Sequence, residues 1–232
     1  MKIKLFLFLF LSFSFISFKA QNIQRIVASM DGENLTSIEI YTEEYIFVLN
    51  ENGYIGTGSS KQLNGKLDYF DSEQFEKEKY GKVRSFGDIK VEYWLTSNER
   101  DARYGKVKRI GTIEVDYYDS FNYEPEKFGK VKSIGLILID YWKKDGFDIQ
   151  RSGKLKSIGN IFIDYYDYEP MNNSKYGKIK NFGPVSFEYW DDYYSDKGKL
   201  GKLKSITGNS EKILVKLVMK DFSGSRKSGY GN

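Results

Sequence analysis

Between residues 67 and 206, apolar and polar side chains alternate in short runs that return every 24 residues. The most regular markers are glycines whose numbers differ by 24: Gly81, Gly105, Gly129, Gly153, Gly177 and Gly201. We number each repeat from this glycine as position 1. In the five complete copies position 3 is aliphatic, position 9 is Ile or Val, position 11 is Val, Ile or Phe, and position 13 is Tyr, whereas positions 2, 4 and 12 are charged. Alternation of β-branched and aromatic residues with polar ones is typical of half-buried strands. The pattern predicts two strands per repeat and little helix.

A second set of glycines, at position 7, separates the two strands of each repeat: Gly87, Gly111, Gly135, Gly159 and Gly183. Glycine between two strands indicates a tight turn that needs a positive φ. A three-residue loop over positions 6–8 would pair position 3 with 11 and position 2 with 12, so that aliphatic faces aliphatic and lysine faces carboxylate. Cross-strand pairs of this kind each contribute about 0.2–1 kcal/mol, which favours this register. The aliphatic residues and Tyr would then share one face, and Lys, Asp/Glu and the position-14 aromatic the other.

Repeated hairpins predict an all-β fold in which the strands form one long antiparallel meander. A sheet of well over ten strands rarely stays flat and open, so we expect it to be curled or barrel-like. A β-solenoid is the alternative architecture. Its stacked coils would place the position-2 lysines above one another at about 4.8 Å, and like charges directly opposite are destabilising. This cost favours the meander.

The rest of the sequence extends the array at both ends. The chain divides into a signal peptide over 1–20, an N-terminal β cap over 21–63, the repeat array with a C-terminal capping strand over 64–220, and a disordered tail over 221–232. A basic start and an apolar run predict the signal peptide, with cleavage after Ala20. Strand patterns at 35–42 and 45–49 predict a cap on the first edge of the array. Alternating Ile213, Val215 and Leu217 predict the final strand, and a Gly/Ser/basic composition predicts the tail.

The net charge of the chain without its signal peptide is too small to indicate a polyanionic partner. The chain has 36 Lys+Arg and 32 Asp+Glu, a net charge of +4. Loss of the three lysines in residues 1–20 leaves 36 − 3 − 32 = +1. We therefore expect no nucleic-acid partner, and no stable membrane insertion after cleavage. The protein is expected to be exported to the periplasm, the cell surface or the extracellular space.

The absence of cysteine and histidine excludes several chemistries. The chain can have no disulfide, no thiol nucleophile, no Ser-His-Asp triad and no zinc site of the His/Cys type. The position-12 carboxylates look alike in every copy and each would face a lysine, which indicates a charge ladder rather than a catalytic pair. We expect no catalytic residue, no metal and no cofactor.

The candidate binding residues are the aromatics at position 14. They recur in phase with the repeat and include every tryptophan of the chain: Trp94, Tyr118, Trp142, Tyr166 and Trp190, with Phe70 in the half-repeat before them. A row of flat rings among hydrogen-bonding groups is a plausible platform for sugar rings. The alternative is that the rings cover the sheet and pack against lysine stems, because a repeat duplicates structural residues as faithfully as functional ones.

The motif Gly-Lys-aliphatic-Lys-x-[Ile/Phe]-Gly, followed by aliphatic-x-aliphatic-acid-Tyr-aromatic, resembles tandem 24-residue repeats of uncharacterised exported bacterial proteins. The resemblance covers Leu67 to Ile206 and implies no activity. MORN repeats share the period but not the glycine spacing. We expect an exported, non-catalytic structural or binding module, with polysaccharide as the ligand of the aromatic row. The alternatives are a scaffold that binds a cell-surface protein and, less consistent with the repeat symmetry, a glycan-active enzyme.

Overall fold

The computed structural model describes residues 22–32, 34–60, 65–74, 77–95, 98, 100–146, 149–170 and 173–218. The signal peptide expected over 1–20 and the tail expected over 221–232 lie outside these residues. The described chain forms two β-sheets and a single 3-10 turn at Pro125–Lys127. Across the described ranges we find no helix with the length and apolar character needed to span a membrane.

The larger sheet has twelve strands and contains the repeats. Its strands are β5 (Leu67–Tyr69), β6 (Val83–Phe86), β7 (Ile89–Tyr93), β8 (Val107–Ile110), β9 (Ile113–Tyr117), β10 (Val131–Ile134), β11 (Ile137–Tyr141), β12 (Leu155–Ile158), β13 (Ile161–Tyr165), β14 (Ile179–Phe182), β15 (Val185–Tyr189) and β16 (Leu203–Thr207). They are hydrogen-bonded in chain order and antiparallel throughout. The all-β meander of hairpins is therefore confirmed, and the solenoid is wrong. The sheet stays open, with β5 and β16 as its two edges.

The hairpin register differs from the predicted one by one residue. Position 6 pairs with position 9 and position 5 with position 10, as in Ile134↔Ile137 and Ser133↔Leu138. The turn therefore has two residues, and its first is the position-7 glycine, with φ between +53° and +57°. Glycine with positive φ at this place is typical of a type II′ turn, which matches the twist of the flanking strands. The aliphatic or aromatic residue at position 6, which the prediction left in a loop, instead joins the buried face.

A β-bulge in every repeat restores the predicted faces. Between repeats, position 13 pairs with position 3 of the next copy and position 12 with position 5, so position 4 is the extra residue. Tyr117↔Val131 and Asp116↔Ser133 show the pattern, with Lys132 bulged between them. A slip of one residue would normally turn position 3 to the opposite face, and the bulge compensates for it. Positions 3, 6, 9, 11 and 13 form the inner face, and positions 4, 5, 10, 12 and 14 the outer face.

The second sheet covers the inner face. It has five strands in the order β17-β1-β2-β3-β4, where β1 is Arg25–Asp31, β2 Asn34–Tyr41, β3 Tyr45–Asn50, β4 Ile55–Ser60 and β17 Ile213–Leu217. Buried residues of both sheets form one hydrophobic cluster. Tyr141 joins the sheets directly, because its hydroxyl lies 3.0 Å from the Val131 carbonyl oxygen and 3.2 Å from that of Gly53.

The strand patterns at 35–42, 45–49 and 213–217 correspond to β2, β3 and β17, whereas β1 and most of β4 were not predicted. Among the described residues they lie over the inner face and do not extend an edge of the array, since β4 pairs with β3 alone and β17 lies parallel beside β1. Long-range packing of one sheet on another leaves no local signal in the sequence. The cover is incomplete over the first hairpin, where Leu67 and Tyr69 of β5 are 44% and 46% exposed.

Candidate binding surface on the outer sheet face

The aromatic row runs along the outer face and links neighbouring repeats. The indole Nε1 of Trp94 donates to the Val115 carbonyl at 3.1 Å, and that of Trp142 to the Ile163 carbonyl at 3.1 Å. The Tyr166 hydroxyl donates to the Phe187 carbonyl at 2.8 Å. Each acceptor is position 11 of the following repeat. The rings are therefore half-buried, and each one hydrogen-bonds its own repeat to the next.

Cations from two repeat positions lie against these rings. Lys or Arg at position 23, in the loop before each glycine, and at position 4, in the bulge, place their charge 3.5–5.8 Å from a ring centroid. Trp94 has Arg103 at 4.9 Å and Lys108 at 5.0 Å, and Trp142 has Arg151 at 4.5 Å and Lys156 at 5.3 Å. Cation–π contacts of this kind contribute about 0.5–1 kcal/mol at exposed sites. Part of each ring surface is thus already occupied.

The position-12 carboxylates form a charge ladder, with a different partner from the one predicted. They pair with position 4 of the following repeat, as in Asp116–Lys132 at 3.4 Å and Asp140–Lys156 at 3.5 Å. Arg84 and Asp68 make the equivalent pair at 3.3 Å in the first hairpin. The bulge accounts for this change, because it turns the position-4 side chain outward beside the carboxylate.

The position-2 lysines, expected opposite those carboxylates, lie on the inner side instead. The first five reach the glycine carbonyl of the following repeat, as in Lys82 Nζ to Gly105 O at 2.6 Å and Lys154 Nζ to Gly177 O at 2.6 Å. These five also lie about 5 Å from the ring centroid of the position-13 tyrosine of their own repeat. Burial lowers the pKa of Lys82, Lys106 and Lys130. The signal for this role was the strict Gly-Lys pair in all six copies, whereas position 4 accepts Arg.

Trp94 lines two hollows, and the larger one extends past the turn at Gly111 to Thr42, Glu43 and Glu44, which connect β2 and β3 of the covering sheet. The larger, of about 1010 Å³, is also lined by Arg103, Arg109, Glu114 and Asp116. The smaller, of about 500 Å³, lies between Trp94 and Phe70. Trp94 therefore separates two adjoining spaces, each wide enough for a small ligand.

Both arginines that line the larger hollow are already paired with carboxylates. Arg103 contacts Asp101 at 2.9 Å, and this hydrogen bond lowers the pKa of the Asp101 carboxyl. Arg109 contacts Glu114 at 2.6 Å and Glu92 at 3.7 Å. The two arginines of the hollow are thus engaged by carboxylates, which the lining also supplies at Glu43 and Glu44. Arg109 occupies position 5, where the other repeats have Ser or Asn, so the repeat pattern changes at this site.

The structure places all five predicted aromatics on one face, but of these only Trp94 lines the two hollows, and Tyr118, Trp142, Tyr166 and Trp190 line neither. Arg103, Arg109 and Glu114 were not predicted as site residues. The single departure at position 5 was the available sequence signal for Arg109. Within the described ranges no group of three acidic side chains is arranged to hold a metal ion.

Comparison with protein-family models, with curated proteins and with solved structures finds no match to this chain.

Proposed function

We propose that the protein is an exported, non-catalytic binding module that holds a neutral polysaccharide against Trp94 on the outer face. The observation that carries this proposal is the position of Trp94 as the common wall of two adjoining hollows. An extended chain that crosses this ring would fill one hollow with each neighbouring sugar. Export rests on the basic and apolar pattern of residues 1–20.

The polar lining supports a neutral sugar over a charged one. A polyanion would need free cations, and Arg103 and Arg109 each engage carboxylates at 2.6–2.9 Å. Paired guanidinium and carboxylate groups still accept and donate hydrogen bonds at their outer edges, which suits hydroxyl groups. An aromatic ring with a few convergent polar groups is the usual composition of such a site. The same pairing argues against glycoside hydrolysis, which requires two carboxylates in different environments.

Substitution of Trp94 tests the proposal against a matched tryptophan. Purified protein is titrated with a panel of soluble neutral polysaccharides, and affinity electrophoresis and intrinsic fluorescence report binding. Trp94→Ala should weaken binding by about tenfold or more, as expected for an aromatic anchor. Trp142→Ala removes the same inter-repeat hydrogen bond and the same cation contacts but borders neither hollow, so it should stay within about twofold of the parent.

Equal losses in the two variants would mean that the ring acts only through sheet stability. Absence of saturable binding to every polymer would contradict the proposal outright. Circular dichroism on both variants confirms that each is folded before affinities are compared.

A protein partner is the second candidate, favoured by apolar side chains on the same face. Leu136 and Leu138 are 67% and 66% exposed, and Phe162, 46% exposed, packs edge-on against Trp142 with ring centroids 5.7 Å apart. Large apolar side chains that share one exposed sheet face often mark protein contacts. Leu138→Lys should abolish binding to a cell-surface protein and leave polysaccharide binding at Trp94 unchanged.

A further inference from the structure

The two edge strands of the repeat sheet, β5 and β16, correspond to the two different strands of one repeat. Strand β16 carries positions 3–7 of the sixth copy, and the described chain contains no strand with positions 9–13 beside it. Strand β5 carries positions 11–13 of the half-repeat before the first copy, and the described chain contains no first strand for it. Within the part of the chain that the structure describes, both strands are hydrogen-bonded on one side only. The C-terminal edge thus ends on the first strand of a repeat, and the N-terminal edge begins with the second strand of a repeat.

Inside the array, where each repeat is complete, side chains make three kinds of contact between the first and second strands of a repeat or between neighbouring repeats. The position-14 ring donates to the carbonyl of position 11 in the next repeat, as Trp142 does to Ile163. The position-2 lysine donates to the next glycine carbonyl, as Lys154 does to Gly177, and lies over the position-13 ring. The position-13 hydroxyl donates to the carbonyl of position 3, as Tyr93 does to Val83 at 2.9 Å.

The same groups at the two edges lack these contacts. At the C-terminal edge, the Trp190 indole N–H and the exposed Lys202 ammonium make no hydrogen bond to any described residue. At the N-terminal edge, the Gly81 carbonyl receives no lysine, and Tyr69, unlike the five tyrosines at position 13 of the complete copies, has no lysine over its ring in the described chain. Donors without acceptors at one end therefore correspond, position for position, to acceptors without donors at the other.

We propose that copies of this chain associate head to tail, with β16 of one copy paired antiparallel to β5 of the next. The junction completes a 24-residue repeat. Lys202 of one copy then donates to the Gly81 carbonyl of the second copy and covers its Tyr69 ring. Trp190 of the first copy donates to the Leu67 carbonyl of the second.

A second copy is the partner that fits the edge, because its β5 carries the repeat positions that would follow those of β16. The two half-repeats belong to opposite edges of an open twelve-stranded sheet, so neither completes the other where it stands. A contact between two different surfaces of identical chains is heterologous and propagates unless the rotation closes a ring. Each added copy contributes twelve strands, or roughly 58 Å at about 4.8 Å per strand. Open edge strands are the established route for this kind of association.

Engineered cysteines test the junction directly, because the chain has no cysteine of its own. In each hairpin position 5 lies opposite position 10, which makes Ser205 of one copy the partner of Lys66 in the next. Cross-strand neighbours of this kind fall in the Cα separation that a disulfide spans. Ser205→Cys/Lys66→Cys should form a ladder of dimers, trimers and longer species on mild oxidation, and reductant should collapse it. Lys197→Cys/Lys66→Cys, with one cysteine moved to an exposed loop lysine, should give no ladder.

Sedimentation velocity on cysteine-free protein supplies the second readout, with no polysaccharide present. The parent should associate with rising concentration, Lys202→Glu should weaken association by about tenfold, and Lys197→Glu should leave it unchanged. A Ser205→Cys/Lys66→Cys protein that stays monomeric, or that closes a disulfide within one chain, would overturn the proposal. So would a parent that sediments as a monomer at all concentrations. Polysaccharide binding at Trp94 can fail or succeed independently of these results.

Discussion

The lysine at position 2 shows how one side chain can serve two neighbouring repeats at once. In Lys130 the ammonium lies 5.0 Å from the Tyr141 ring centroid and donates to the Gly153 carbonyl of the next repeat. Burial opposes the charge and lowers the pKa of Lys130, so the contacts must offset a desolvation cost. Arginine occurs at position 4 but not at position 2. A compact ammonium fits a single carbonyl below a ring, and a planar guanidinium does not.

Removal of this charge should therefore reduce stability at an internal repeat and not at the last one. Lys130→Met keeps most of the stem and should lower the free energy of unfolding by about 1.5–3 kcal/mol, the range for hydrogen bonds to charged groups. Lys202→Met changes the same repeat position where the described chain offers no acceptor, so the effect should stay within about 0.5 kcal/mol. Urea denaturation of dilute protein measures both. Equal losses would show that the stem, and not the ammonium, makes the contribution.

The hairpin is the element that the sequence specifies most fully. Its turn glycine, its apolar inner face and its polar outer face all repeat. The turn is also where the two sheets touch, since a Cβ on Gly111 would lie 2.2 Å from the Tyr45 hydroxyl oxygen of β3. Tyr45 is itself buried, which leaves its ring little room to move away. The glycine is required both by φ and by the space above it.

Two glycine substitutions separate these requirements. Gly81→Ala places a Cβ at φ +75° with no atom within 4 Å, so it should cost only the backbone strain of about 1–2 kcal/mol. Gly111→Ala, at φ +56°, adds the clash with Tyr45 and should cost clearly more. Thermal denaturation by circular dichroism ranks the two variants. A smaller loss for Gly111→Ala would mean that the covering sheet moves freely over the turns.

The positions of the strands could be predicted because their sequence signals are local. The register of the strands could not be predicted in this way. Alternation and turn glycines placed β6 to β15 and also β17 within a residue or two. The hairpin register depended on the two-residue turn and the side-chain faces on the bulge at position 4, and a pairwise comparison of charges reveals neither. Positions 6 and 9, as Ile134 and Ile137, held the better clue, because two apolar residues beside a glycine favour a shorter turn. The aromatic row was found by its phase, but the hollow at Trp94 depends on the shape of the sheet, which sequence does not encode locally.

At the scale of the whole molecule, two sheets enclose one core without any covalent cross-link. The chain has no cysteine, so cohesion depends on apolar burial and on hydrogen bonds such as that of Val131 N to Gly53 O at 3.0 Å. Tyrosines take a large part of this core, and Tyr141, Tyr117 and Tyr165 are all at most 5% exposed. Their hydroxyls must stay neutral where they are. The limits of stability with pH therefore follow from the groups that the core and its rim hold in one protonation state.

Stability should be flat from about pH 5 to about pH 9, because the chain has no histidine to titrate in this range. On the acid side, hydrogen bonds from Arg103 and Lys143 lower the pKa of Asp101 and Glu124, so stability is full above the unfolded values near pH 4 and falls as pH drops through the folded ones. On the alkaline side, burial raises the pKa of Tyr117, Tyr141 and Tyr165 well above the ordinary value.

Below about pH 10 these tyrosines are neutral in both states, and above it the unfolded chain ionises first and draws the equilibrium toward unfolding. The lowered pKa of Lys130 acts in the opposite sense, because the folded state releases that proton first. Its effect is smaller, since the lysine is only half-buried. The Tm measured by calorimetry should therefore hold steady across neutral pH and drop above about pH 10. A change of more than a few degrees between about pH 5.5 and 8.5 would contradict this assignment, because no side chain of the folded core titrates there.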